Sequence, residues 1–318
     1  GLAITMEDRL LEKFMGCLLG AAIGDALGMQ TEGKTRKEIV DAGEVRDYGR
    51  AAAGSPNAKL TPGHYTDDTE QMLLLAESII EAGRFSPESF SAKLAEHGKL
   101  IIGNPALNRS WGPTSMAAVR ALLDGAGWMQ SGQNEPTCGS AMRVAPIALA
   151  YCNDITKVES MARMSSLPTH ASSGAIGGAV AAAVAVACAL HDMDHEDILA
   201  IAADRASHSD RRLEAAIIIA GKHISSSPDL ALSCLGTSNS VYETVPAALY
   251  CFAHAADPEE AILTAVNAGG DTDSIAAIAG AISGAACGEC ALPSRWLSGL
   301  ENRRYIEEVA GKLFSLAT

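Results

Sequence analysis

Apolar positions recur at helical spacing from the beginning of the chain. Leu10, Leu11, Phe14 and Leu18 share one face of a segment predicted as helix over residues 7–30. Gly16, Gly20, Gly24 and Gly28 follow one another at intervals of four in the same segment. On a helix such a row lies along one side and lets a second helix approach closely. We read Gly16 and Gly20 as packing positions. Residues 33–64 mix Gly, Pro, Asn and charge and predict a long surface loop with at most short elements. Helix resumes over 66–82, where Met72, Leu73, Leu75, Ala76, Ile79 and Ile80 make the apolar face, and another starts at Pro87. Residues 103–115 and 125–140 read as loops on either side of helix 115–124. Further helices are predicted at 141–152, 155–166, 173–190, 195–207, 210–224, 243–256, 258–267, 273–286 and 302–316. No segment alternates with the two-residue period of a strand, and no βαβ rhythm or fixed-period repeat shows. The expected architecture is all-α: a single compact orthogonal helical domain spanning residues 1–318, with its long loops on one side.

Composition supports that reading. Aromatics are 4% of the 318 residues and there are 30 glycines, so the core is built from small side chains. Small side chains suit closely packed helices and suit strands poorly. The formal net charge of −14 argues against a nucleic-acid-binding surface, which needs clustered Lys and Arg. No basic segment followed by an apolar run opens the chain, and the uncharged stretch 171–190 is mostly Ala and Gly. We therefore expect a buried helix there, no membrane partner, a cytoplasmic location and a monomer. The eight cysteines are scattered, mostly in apolar runs, as reduced buried thiols would be. Cys287 and Cys290 form a CxxC, but no second pair completes a zinc site.

Two acidic segments about 200 residues apart carry the chemistry. Tyr65-Thr66-Asp67-Asp68-Thr69 stands just before an apolar helix. Gly269-Gly270-Asp271-Thr272-Asp273-Ser274 stands before another. Capping a helix takes one such side chain, not four carboxylates with flanking hydroxyls. Carboxylates gathered that closely repel unless a cation neutralises them. An all-oxygen set selects hard divalent ions.

These segments, with Gly24-Asp25-Ala26-Leu27-Gly28 and Glu32, Gly139-Ser140-Ala141-Met142-Arg143 and Thr169-His170, resemble the successive motifs of the ADP-ribosylglycohydrolase family. Order and spacing agree from about Glu7 to Leu292. The resemblance implies an all-helical domain with a binuclear Mg²⁺ or Mn²⁺ site at the base of a cleft. It implies hydrolysis of the N- or O-glycosidic bond between ADP-ribose and a protein side chain, with arginine as the default acceptor, or a small ADP-ribose conjugate. Carried over by motif, Thr66, Asp67, Asp68, Asp271, Asp273 and Ser274 would hold the metals. Glu32, Asp67 and Asp273 would be the catalytic acids. Gly139, Ser140, Ala141 and Met142 would cradle the diphosphate, Trp111 and Gly112 would approach the ribose, and His170 would line the cleft. Ser274 stands where the family often has Thr, and Cys138 where it often has Asn. We read Asp25 as stiffening the end of its own helix, in preference to bonding the loop near the metals. Two alternatives are a silent ADP-ribose binder or crystallin-like structural protein, and a binuclear phosphoesterase. The complete acidic set disfavours the first, and Glu32 and the 139–143 loop disfavour the second.

Overall fold

The glycine row of the opening helix, Met6–Gly28, decides how the two acidic segments meet. A Cβ at Gly16 would fall 2.4 Å from the Gly284 carbonyl oxygen, one at Gly20 2.2 Å from that of Gly280, and one at Gly24 2.1 Å from that of Ala276. At Gly28 it would meet the backbone of Thr272 and Asp273. Ascending numbers on one helix face descending numbers on the other, so Met6–Gly28 and Thr272–Cys287 run antiparallel in backbone contact. All four glycines serve packing, including the two beside Asp25. The C-terminal end of the first helix thereby meets the N-terminal end of the second, where Asp273 and Ser274 lie.

The computed structural model describes residues 3–317. Among them seventeen helices take up about 68% of the chain and no strand occurs, as the pattern predicted. The Ser173–Leu190 helix is long and apolar enough to cross a bilayer, yet 89% of it is buried inside the fold. It packs against Ile155–Ser166, His195–Ala206, Val241–His254 and Thr272–Cys287. Five cysteines (17, 138, 152, 188 and 251) are buried, and Cys234, Cys287 and Cys290 are exposed.

The predicted helix over 141–152 is divided. A 3-10 turn, Ala141–Arg143, is followed by a separate helix, Ala145–Ala150. Pro146 has no N–H to give to the Met142 carbonyl, which favours a break in the helix just before it. Short helices absent from the prediction occur at Trp128–Ser131, Pro228–Leu235 and Ser294–Gly299. Each has too few turns to show an apolar period. In the predicted loop 33–64, Arg36–Asp41 is a helix closed by a capping box between Thr35 and Glu38.

Candidate active site

The first acidic segment is held from below by Asp25. The Thr66 amide and hydroxyl donate to its two carboxylate oxygens at 2.9 and 2.7 Å. The Thr69 amide and hydroxyl donate to Oδ2 at 3.1 and 2.7 Å. Four donors thus fasten the start of the Asp67–Ala82 helix to the fully buried end of Met6–Gly28. This overturns our reading of Asp25 as a brace for its own helix: it bonds the acidic loop. From above, the Asp67 amide donates to the Arg109 carbonyl at 3.0 Å.

The second segment is set by its glycine turn. Gly269 and Gly270 have φ of 85° and 75°. Gly270 has a further constraint, since a Cβ there would fall 2.2 Å from the Thr237 carbonyl oxygen. The turn exchanges backbone hydrogen bonds with 33–34: Gly33 N–H donates to Gly270 O, and Gly270 N–H donates to Lys34 O, each at 2.9 Å. That exchange places Glu32 beside Asp271. The Ser274 hydroxyl donates to Asp68 Oδ2 at 2.8 Å, and Thr66 Oγ lies 3.3 Å from Asp273 Oδ2. Residues distant in sequence therefore share one floor.

Two sets of carboxylates there have oxygens within 4.8 Å of one another: Asp25, Asp68 and Asp273, and Glu32, Asp271 and Asp273. Asp273 belongs to both. Burial, reinforced by the neighbouring charges, pushes Glu32 up to about 7 and Asp68 to about 6. The same causes hold Asp25, Asp67 and Asp273 well above the usual carboxylate range. Asp273 Oδ1 is buried and has no hydrogen-bond partner among the described residues. An orphaned carboxylate oxygen among unneutralised acids fits hard divalent cations. Asp25 is the exception in the set, because its oxygens are already engaged by Thr66 and Thr69.

A cleft of about 890 Å³ opens above this floor. Of the residues expected to bind ligand or metal, Glu32, Asp67, Asp68, Trp111, Gly112, Gly139, Met142, His170, Asp271, Asp273 and Ser274 line it. Thr66, Ser140 and Ala141 lie behind the wall. The Ser140 hydroxyl is bonded to Ser166 at 2.7 Å, so it faces the core and not the cleft. Cys138 Sγ sits 3.1 Å from Asp271 Oδ2. The Trp111 indole N–H donates to Glu70 at 3.0 Å and its ring stacks on His97 at 5.2 Å. His64 bonds Thr61 and faces Glu301.

Sequence reasoning missed Asn57, a fully buried residue in the 33–64 loop. Its amide donates to Glu32 Oε2 at 2.7 Å and to the Met29 carbonyl at 3.0 Å, fixing the acid. It also missed Ser110, whose hydroxyl bonds Asn57 and whose φ of 67° is strained for a residue with a side chain. No local pattern marks either position. They are legible only where the loop folds back over Glu32.

The chain is similar to known proteins along nearly its whole length. It is 44% identical to an uncharacterised protein of Archaeoglobus fulgidus over 96% of its length and 97% of that protein's. It is 29% identical to the ADP-ribosylarginine hydrolase Tri1 of Pseudomonas putida, covering 98% of this chain and 80% of that one. It is 28% identical to human ADP-ribosylhydrolase ARH3, covering 96% and 93%. A solved structure described as an ADP-ribosylglycohydrolase-related protein complex superposes with a TM-score of 0.82 at 29% identity, covering 98% of this chain and 99% of that one. The sequence profile of the ADP-ribosylglycohydrolase family matches residues 6–318, and the chain belongs to that family of glycosidic-bond hydrolases.

Proposed function

We propose that this protein releases ADP-ribose from modified protein side chains, with arginine as the acceptor and two divalent cations, Mg²⁺ or Mn²⁺, as cofactors. The observation that carries the reading is the pair of carboxylate sets joined through Asp273, with its orphaned Oδ1, on the floor of an open cleft. Asp67, Asp68, Asp271 and Asp273 would hold the cations with the hydroxyls of Thr66 and Ser274. Cations held there would supply positive charge for binding ribose hydroxyls and for acidifying water.

The chain's own residues account for the rest. At the turn entering Ala141–Arg143 the Met142 N–H is taken by the Cys138 carbonyl at 3.1 Å, while the N–H groups of Gly139, Ser140 and Ala141 have no backbone partner among the described residues, which suits a diphosphate. Gly139 brings that backbone to the cleft surface. Glycoside hydrolysis passes through an oxocarbenium-like state and needs a water at C1 that loses a proton. Glu32, positioned by Asn57 and with its proton affinity raised by burial, is suited to accept that proton near neutrality. Arginine is favoured as acceptor because no Lys or Arg is among the described residues lining the cleft, whereas carboxylates line both its floor and, through Glu135, its wall. A guanidinium is attracted there.

The test is release of free ADP-ribose from arginine-linked and serine-linked conjugates, with Mg²⁺ and Mn²⁺ compared. Asp67→Ala and Asp273→Ala should each lower turnover by at least about a thousandfold while leaving the circular dichroism spectrum unchanged. Full activity in excess chelator, or in either variant, refutes the cation-dependent reading. Preference for the serine conjugate refutes the acceptor assignment alone.

A further inference from the structure

Arg143 does not reach the cleft. It is fully buried behind the wall, with its guanidinium over the Phe90 ring at 4.9 Å. Nη1 donates to Gln71 Oε1 at 2.8 Å, and Nη2 donates at 2.8 Å both to the Ser165 carbonyl and to Thr169 Oγ. Thr169 Oγ lies 2.7 Å from His170 Nδ1.

The direction of that last bond follows from what each group can do. A guanidinium only donates, so Thr169 Oγ accepts from Arg143. Thr169 is fully buried, and among the described residues its hydroxyl has no partner besides Arg143 and His170. The hydroxyl hydrogen therefore has one acceptor in reach, His170 Nδ1. Were Nδ1 protonated instead, the hydroxyl would face two donors and its own hydrogen would be buried without an acceptor, an arrangement disfavoured by about tenfold or more. The proton of the neutral ring is thus on Nε2. The Nε2–Cε1 edge lies against Gly139, where a Cβ would fall 2.4 Å from both atoms. The ring lines the cleft, and among the described residues Nε2 has no protein partner.

We propose that Arg143 and Thr169 lock the tautomer of His170, so that it presents a neutral Nε2–H donor to an oxygen of the ligand seated against the Gly139 turn. Arg143 and Thr169 are then positioning residues that act on the ligand through His170. The ligand half of this inference rests on the ADP-ribose reading of the cleft; the tautomer half does not. Burial and the Arg143 charge push His170 down to about 3, which keeps the ring neutral over the working pH range. A neutral donor suits a wall without Lys or Arg, because it directs a hydrogen bond without a charge that would oppose a cationic acceptor.

The experiment is long-range ¹H–¹⁵N correlation spectroscopy on histidine-labelled protein, with the His170 signals assigned by their loss in His170→Gln. Binding of ADP-ribose is measured alongside by calorimetry. The wild type should show the Nε2–H pattern. Thr169→Val keeps the shape and removes the hydroxyl; it should give mixed tautomers and weaken ADP-ribose by about tenfold, with KM rising more than kcat falls. Thr169→Ser should restore both the tautomer and the affinity to within about twofold, which a purely packing role for the threonine methyl does not predict. An Nδ1–H pattern in the wild type overturns the lock. So does a Thr169→Val protein that keeps the wild-type tautomer and affinity. An Nε2–H pattern in a wild type that fails to bind ADP-ribose supports the lock and refutes the ligand assignment instead.

Discussion

Replacing Gly20 by alanine tests whether the fold and the site depend on the same helix contact. The added Cβ would stand 2.2 Å from the Gly280 carbonyl oxygen, and Gly280 is equally constrained, its own Cβ position lying 2.1 Å from the Gly20 carbonyl. Ordinary contact needs about 3.4 Å, so the helices must part by about 1 Å. Neither neighbour can give, because both are helix backbone. Overpacking of this kind costs about 2–3 kcal/mol, set against a gain of up to about 1 kcal/mol from replacing a helical glycine. For a chain of 318 residues, unfolding entropy is about 0.7 kcal/mol per degree. A net loss of about 2 kcal/mol then lowers Tm by about 3 °C. Gly221, inside Arg211–Lys222 with nothing among the described residues within 4 Å of its Cβ position, is the internal control. Gly221→Ala should raise Tm by about 1 °C through propensity alone. The assay is thermal unfolding by circular dichroism, with Mn²⁺ affinity measured in parallel. Gly20→Ala should also weaken Mn²⁺ binding, because the same contact brings Asp273 to Asp68. If Gly20→Ala behaves like Gly221→Ala in both measurements, close helix approach does not hold the acidic floor together.

Chelator-treated protein should lose stability as pH rises. Glu32 and Asp68 have folded-state values near 7 and 6, above their ordinary 4.5 and 3.8, so the native state binds more protons between those limits and its stability falls as pH climbs through them. Melting at pH 5 and pH 8, with and without Mg²⁺, should show a drop of several degrees that the cation reverses at pH 8 and hardly touches at pH 5; a flat chelated profile contradicts this. Asn57→Ala removes the hydrogen bond that lowers the pKa of Glu32, so the acid limb of the pH–rate profile should move up by about half a unit or more, with turnover reduced about tenfold. An unmoved acid limb would show that Asn57 only supports the loop. Gly139→Ala drives a methyl into His170 and should weaken ADP-ribose by about tenfold or more without changing Mn²⁺ affinity; parallel losses in both would place the damage in the acidic floor instead.

Much of this molecule was legible along the chain. Apolar spacing predicted the long helices, because a helix of four or more turns repeats its buried face often enough to show. The acidic segments announced themselves because capping does not require so many carboxylates, and their order with Glu32, Gly139 and His170 carried the family. Short helices such as Pro228–Leu235 escaped because two turns show no period, and the 141–152 segment was overextended because Pro146 was not weighed against continuous helix.

The sequence by itself determined which residue types were available: oxygen ligands in two segments, a row of glycines at intervals of four, and a glycine turn before Asp271. Tertiary structure decided what those residues do. Asp25 could not be distinguished from a local brace until Thr66 and Thr69 were seen to donate to it across 41 and 44 positions. Asn57 carries no local signature, and the motifs that contain Arg143, Thr169 and His170 give no sign that these three side chains bond one another. A hydrogen bond acquires its meaning from the partner that folding supplies, and those partners lie 25 residues away for Glu32 and 72 for Arg143 and Gln71. Periodicity reports which side of a helix is buried, and only the packed chain reports against what.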